Sequence, residues 1–179
     1  MQYSVCDYLI DLLQNSVEAK ATVITLDYIE KDGSLSVCIG DNGSGMNEET
    51  LKKSTDPFYT DGIKHKNRKV GLGLPFLIQM LENIGGEFDI KSEEEMGTSL
   101  FFSISLDNID CPPEGDIAGT FRTLMTFDGE YDLLINRHKN GKNYSISRSE
   151  LAEALGDLNS ADSQILAKQF FVSQEDDLK

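Results

Sequence analysis

Basic residues are scarce in this chain of 179 residues. Lysine and arginine together number 16, against 31 aspartates and glutamates, so the formal net charge is -15 at pH 7. An acidic protein of this kind repels phosphate backbones and anionic membrane surfaces. The composition therefore argues against nucleic acid and charged lipid as partners.

Cysteine and long apolar runs are also scarce. Cys6, Cys38 and Cys111 show no metal-ligand spacing and cannot all pair, which favours a reducing compartment. No stretch approaches the roughly twenty apolar residues of a membrane span, and the first residues lack a basic signal region. We therefore expect a cytoplasmic protein. Its 39% hydrophobic residues suffice for the core of one domain, with or without an appendage.

The most informative stretch is Asp-Asn-Gly-Ser-Gly-Met at residues 41–46, where an alternating apolar run of Leu35, Val37 and Ile39 stops. An aspartate at the end of a strand can accept a hydrogen bond from an exocyclic amine. Glycines let the backbone turn sharply and approach a flat ring closely. The same residues are also typical of an ordinary turn after a strand, so the motif alone leaves both interpretations open.

A helical pattern over residues 4–20 precedes that stretch, with Ser4 and Asp7 spaced as a capping box. On its polar side, Asp11 and Asn15 lie one turn apart. An asparagine amide oxygen can coordinate a hard cation while a carboxylate one turn earlier holds a water molecule. The alternative is a polar helix face that only meets solvent.

Three further features could contact a nucleotide. Regular periodicity is lost over residues 55–70, and this loop contains a basic run at residues 64–69, which could neutralise phosphates or simply be solvated. Gly71 and Gly73 open the next helical pattern, where exposed backbone N–H groups favour an anion. Thr98 is either a small polar strand residue or a hydroxyl beside a bound base.

Taken in order, these segments resemble the ATP-binding domain of the GHKL superfamily, which includes DNA gyrase B, heat-shock chaperones, histidine kinases and MutL-type proteins. The resemblance covers residues 4–106 and rests on five segments, at residues 11–19, 41–46, 56–60, 70–74 and 96–100. It implies an α+β fold, a two-layer α/β sandwich in which helices cover a mixed sheet. It also implies a nucleotide held between helices and a flexible lid, with ATP and Mg²⁺ as cofactors.

The resemblance also implies roles for individual residues. Asn15 would coordinate the Mg²⁺ that bridges the phosphates, and Asp41 would accept from the adenine amine. Asp11 would be the catalytic base. The remaining expected nucleotide contacts are Gly43, Gly45, Met46, Phe58, Lys64, Lys66, Arg68, Gly71, Leu72, Gly73 and Thr98.

Asp11 distinguishes the branches of the superfamily. Kinase members usually carry asparagine at this position, whereas hydrolytic members carry an acidic residue, more often glutamate. A carboxylate can take a proton from water and an amide cannot. We therefore expect weak ATP hydrolysis and a nucleotide-gated lid that acts as a conformational switch for a protein partner. A stand-alone serine protein kinase of the anti-sigma-factor type and a non-catalytic ATP sensor remain as alternatives.

The composition changes near residue 107, in a stretch with turn and extended character. We expect an ATP-binding domain at residues 1–106, a linker at residues 107–119 and a small α+β appendage of unknown role at residues 120–179. The appendage resembles the tail of stand-alone ATP-binding proteins of anaerobic bacteria, and no phospho-acceptor hairpin is seen before Asp11. We therefore expect a stand-alone bacterial protein.

Local patterns predict five elements in the appendage. They are strands from Thr120 to Phe127, from Tyr131 to Arg137 and from Asn143 to Ile146, and helices from about Ser147 to Leu155 and from Ser160 to Phe171.

Overall fold

The computed structural model describes residues 3–56 and 73–179. The strands in this part are β1 (Val23–Lys31), β2 (Ser34–Asp41), β3 (Glu87–Glu93), β4 (Gly97–Ser105), β5 (Asp132–Lys139) and β6 (Lys142–Ser147). The helices are α1 (Val5–Glu18), α2 (Glu48–Thr55), α3 (Gly73–Ile84), α4 (Ile117–Leu124), α5 (Arg148–Leu155) and α6 (Ala161–Asp177). None of these helices is both long and apolar enough to cross a membrane.

The strands form one mixed sheet in the order β3-β4-β2-β1-β5-β6. Strands β1 and β5 pair in parallel, and the other neighbouring strands pair antiparallel. Successive side chains of a strand point to opposite faces, and in β1 this places Ile24, Leu26 and Tyr28 in the core. The predicted two-layer sandwich of helices on a mixed sheet is confirmed.

One hydrophobic core extends through the N-terminal and C-terminal parts of the chain. Phe121 of α4 is fully buried, and its ring lies 6.0 Å from that of Tyr28 and 5.8 Å from that of Phe171 in α6. Edge-to-face contacts of this kind add to the free energy gained by burying the rings. The appendage therefore packs directly on the sheet.

The connection between the two parts also contacts helix α1. The N–H groups of Val5 and Cys6, in the first turn of α1, donate to the carbonyl oxygens of Pro113 and Glu114 at 2.9 and 3.0 Å. These N–H groups have no partner within the helix itself. The division into residues 1–106, 107–119 and 120–179 remains a prediction, but strands from both sides of residue 107 belong to the same sheet.

The predicted strand at residues 120–127 is wrong, because helix α4 covers residues 117–124. The Asp116 side chain accepts a hydrogen bond from the Gly119 N–H at 2.9 Å and caps this helix. Threonine and phenylalanine are common in strands, yet burial of one helical face, centred on Phe121, decides the structure. The other four elements predicted for the tail form as β5, β6, α5 and α6.

A buried arginine cluster lies where β1, β5 and α6 meet; it consists of Arg137, Glu30, Glu175, Tyr28 and Glu114. Arg137 is 0% exposed and donates to the carboxylates of Glu30 and Glu175. Its guanidinium lies 4.8 Å from the centre of the Tyr28 ring. The Tyr28 hydroxyl in turn donates to Glu114 at 2.8 Å. The cluster therefore links both parts of the chain through paired polar groups around a fully buried arginine.

Candidate functional site

The Asp41 carboxylate is the centre of the site. Asp41 ends strand β2 and is half-buried. Its Oδ1 accepts from the N–H groups of Gly43, at 2.9 Å, and Thr98, at 3.3 Å, and its Oδ2 accepts from the Ser16 hydroxyl at 2.6 Å. An ionised carboxylate offers about four acceptor positions. Three donors fix its orientation and leave capacity for one more.

The glycine loop, residues 41–46, packs against two neighbouring segments. A Cβ atom at Gly43 would lie 2.9 Å from the Cβ of Ala19, in the turn after α1. Gly45 has φ +60°, and a Cβ atom there would overlap the carbonyl oxygen of Glu93. Glycine is needed at both positions, because a side chain would push the loop away from these contacts.

Thr98 and Met46 lie beside Asp41. Strands β2 and β4 are in register so that Asp41 pairs with Thr98. The Thr98 hydroxyl is 2.8 Å from the Ser92 hydroxyl, which also accepts from the Met46 N–H at 2.9 Å. The structure thus brings together three residues that the sequence analysis predicted for the base end of the site.

Helix α1 carries the other predicted residues towards the start of α3. Asp11 is half-buried and Asn15 is exposed, one turn later. A Cβ atom at Gly73, the first residue of α3, would lie 2.6 Å from the Asp11 Cβ and 2.8 Å from its Oδ2. Ser16, which follows Asn15, bonds Asp41. One face of the protein therefore presents Asp11 and Asn15 between the start of α3 and the end of β2.

Six predicted contact residues lie outside the described part of the chain. They are Phe58, Lys64, Lys66, Arg68, Gly71 and Leu72. Their contacts with a nucleotide remain predictions from the sequence.

The sequence analysis missed three polar residues that hold the site. Ser16 is 4% exposed and faces the core side of α1, and a serine among buried apolar residues needs a hydrogen-bond partner. That requirement was the available signal for Ser16. Asn42 and Ser92 had no such signal: Asn42 bonds Thr22, 20 positions earlier, and Ser92 bonds the Met46 N–H, 46 positions earlier.

The three cysteine side chains are buried or half-buried. Burial raises the pKa of the Cys6 thiol to about 11 and also raises the pKa values of Cys38 and Cys111. All three are free of disulfides. A thiol with a raised pKa is a poor nucleophile at neutral pH, so none of the three cysteines is a candidate nucleophile.

Comparison with known proteins identifies the family. Residues 4–108 match the model of the histidine kinase-, DNA gyrase B- and HSP90-like ATPases. The chain belongs to this family. The ATPase family match contains every described residue of the site, from Asp11 to Thr98, and stops before α4.

Two sporulation kinases of Bacillus subtilis are similar to this ATPase family member. Sporulation kinase C is 33% identical over 91 residues, which cover 50% of this chain and 20% of that protein. Sporulation kinase A is 35% identical over 98 residues, which cover 54% of this chain and 15% of that protein. The chain thus spans a fifth or less of these relatives.

A solved structure of the catalytic domain of histidine kinase ThkA is also similar. It is 27% identical, has a TM-score of 0.42, and the match covers 55% of this chain and 63% of that one. The match to the ATPase family supports ATP binding by this chain.

Proposed function

We propose that this ATPase family member binds ATP with Mg²⁺, hydrolyses it slowly, and acts as a nucleotide-dependent switch for a protein partner in the bacterial cytoplasm. The observation that carries the proposal is the Asp41 carboxylate, which is held by three donors and has remaining acceptor capacity. Acceptor capacity beside a loop that only glycines can form suits an adenine amine lying flat against backbone.

The Asp11 and Asn15 side chains would act at the phosphate end. Their oxygens are hard donors, which suit Mg²⁺, and Mg²⁺ in nucleotide sites takes one or two protein ligands together with phosphates and waters. Asn15 would hold the cation, which would neutralise charge on the terminal phosphate when bound. No group of three or more histidine, cysteine, aspartate or glutamate residues in the described ranges could hold a metal. With only one or two protein ligands, a cation here would depend on the phosphates of the nucleotide.

Asp11 is the expected base for hydrolysis. In this step the oxygen of a water molecule bonds to the terminal phosphorus, the bond from that phosphorus to the bridging oxygen breaks, and Asp11 takes the proton of the water. The products are ADP and phosphate. The predicted lid at residues 55–70 would carry the cations of Lys64, Lys66 and Arg68 and couple nucleotide binding to the partner.

A second candidate is transfer of the phosphoryl group to a protein. The similar proteins include sporulation kinases and sensor histidine kinases, as their names state. In that case a side chain of the partner replaces water as the acceptor.

The test is Asp11→Asn, assayed with ATP labelled on its terminal phosphate. We expect turnover to fall by about 100-fold or more, because an amide cannot accept the proton of water. ATP affinity should remain within about threefold, since the substitution preserves the size of a side chain that packs beside Gly73. Glu18→Gln, an exposed change on the same helix, is the matched control and should leave both values unchanged.

Three results would separate the candidates. Release of labelled phosphate that depends on Asp11 supports hydrolysis. Label that appears on a co-purified protein supports the kinase, and binding without release or transfer supports a sensor. Wild-type turnover in Asp11→Asn would contradict the assignment of Asp11 as the base.

A further inference from the structure

We propose that Asn42 is a positioning residue that fixes the Asp41 carboxylate and ties the nucleotide site to strand β5 of the C-terminal part. The inference rests on the proposed function, because it requires that Asp41 bind the base. Asn42 itself need not contact the nucleotide. It lies next to Asp41 in the chain and is exposed.

The Asn42 side chain makes three hydrogen bonds to one neighbouring segment. Its Oδ1 accepts from the N–H groups of Thr22 and Val23, both at 2.9 Å, and its Nδ2 donates to the Thr22 hydroxyl at 2.9 Å. The Asn42 N–H also donates to the Val23 carbonyl at 3.3 Å. Asn42 belongs to the glycine loop and thus provides hydrogen-bond partners for the backbone at the start of β1.

The next two residues of the glycine loop, Gly43 and Ser44, also contact this segment. The Ser44 N–H donates to the Ala19 carbonyl at 2.8 Å, and Gly43 packs against the Ala19 side chain. Asp41 is therefore the last residue of β2, and residues 42–44, which follow it directly, rest on residues 19–23. If the Asn42 contacts were lost, the Gly43 N–H that orients Asp41 would shift with the loop.

Thr22 continues the connection to the C-terminal part. Its carbonyl oxygen accepts from the Asp132 N–H at 2.9 Å, at the start of β5. The Asp132 carboxylate accepts from the N–H of Ser149, at 2.9 Å, and from its hydroxyl, at 2.8 Å, in the first turn of α5. Hydrogen bonds therefore link α5 through Asp132 and Thr22 to Asn42, which directly follows Asp41 in the chain.

The first measurement is nucleotide affinity by calorimetry, with Mg-ATP and Mg-ADP as ligands. Asn42→Ala should weaken both by about tenfold, because the loop loses three side-chain hydrogen bonds whose net contributions are small individually. The factor should be the same for the two nucleotides, since Asp41 acts at the base and not at the terminal phosphate. Asn42→Asp keeps the acceptor for the two N–H groups and should restore affinity to within about threefold of wild type.

Thr22→Val is the second variant. It removes only the hydroxyl that accepts from Asn42 Nδ2, so its effect should be smaller than that of Asn42→Ala. This variant and Asn42→Asp keep the proposal testable if Asn42→Ala fails to fold.

The second measurement is amide hydrogen exchange with and without Mg-ATP, at a saturating concentration for each variant. A purely structural role for Asn42 would change exchange equally in both states. We instead expect Mg-ATP to slow amide exchange at Val23 and Asp132 in wild type. In Asn42→Ala, Mg-ATP should slow exchange at Asp132 less than it does in wild type.

The outcomes separate the inference from the proposed function. If wild-type protein binds neither nucleotide, the proposed function fails, and the inference fails with it. If wild type binds but Asn42→Ala binds equally well, or if Asn42→Asp restores nothing, only the inference is wrong. If Mg-ATP leaves the exchange rate at Asp132 unchanged in wild type, the proposed connection to β5 is wrong.

Discussion

The Asp41 site and the buried arginine cluster lie near opposite ends of strand β1, and their carboxylates have different kinds of partner. Asp41, paired with Ile24 near the start of β1, is half-buried and accepts from three uncharged donors. Glu30, near the end of β1, is 7% exposed and pairs with Arg137 and Lys139. A carboxylate saturated by cations has little acceptor capacity left for a ligand, whereas one oriented by uncharged donors remains available.

The largest expected effect is on stability, from Arg137→Met. Removing Arg137 leaves Glu175 without its cation and Glu30 with only the more exposed Lys139, and breaking a buried ion pair costs about 3–5 kcal/mol of unfolding free energy. Urea denaturation followed by circular dichroism would measure it. ATP affinity of the folded protein should change little, since the cluster contains no residue of the site.

Lys139→Met is the matched control for that change. Lys139 lies 3.1 Å from Glu30 but its side chain is 29% exposed, so solvent screens the pair and the loss should be about 1 kcal/mol or less. Equal losses in the two variants would mean that burial does not distinguish these ion pairs.

The second effect is on binding, from Asp41→Asn. We expect ATP affinity to fall by at least about 100-fold, because the amide would turn a donor towards groups that are themselves donors. Calorimetry measures the affinity, and denaturation should show a smaller loss of stability than Arg137→Met. Asp89→Asn, at an exposed position in β3, is the control and should bind as wild type. If Asp41→Asn bound ATP as tightly as wild type, Asp41 would not be the residue that binds the base.

The smallest expected effect is a pH dependence of stability, from Glu114→Gln. Burial raises the pKa of Glu114 above its ordinary value of 4.5. The folded protein therefore binds more protons than the unfolded chain between 4.5 and the raised value, and this group's contribution to stability falls as pH increases through that window. Glutamine stays neutral, so the unfolding free energy of the variant minus that of the wild type should rise with pH in this window. Parallel curves from pH 4 to pH 8 would contradict this.

Local sequence signals predicted the elements that form the candidate site. The capping box of Ser4 and Asp7 marks the start of α1, as the structure confirms. The turn between β1 and β2 has positive φ at Asp32 and Gly33, a conformation that an Asp-Gly hairpin turn favours. These elements depend on residues within a few positions of one another, and periodicity then places Asp11 and Asn15 on one side of a helix.

Contacts between distant residues were not predictable in the same way. Ser16 bonds Asp41 across 25 positions, and Asn136 of β5 bonds Asp27 of β1 across 109. Nothing in the local pattern of residues 132–139 indicates a parallel partner in β1. Helix α4 was missed for a related reason: its threonines favour a strand locally, and only packing of Phe121 into the shared core reverses that preference.

The carbonyl groups of Pro113 and Glu114 at the start of α1 bear on how this protein can be engineered. A fragment cut after residue 106 would leave two amides of the first helical turn open and would remove the acceptor of the Tyr28 hydroxyl. Chimaeras that exchange the nucleotide-binding half among relatives therefore need their junction beyond residue 115. In this chain a transplanted ATPase module must therefore carry Pro113 and Glu114 with it.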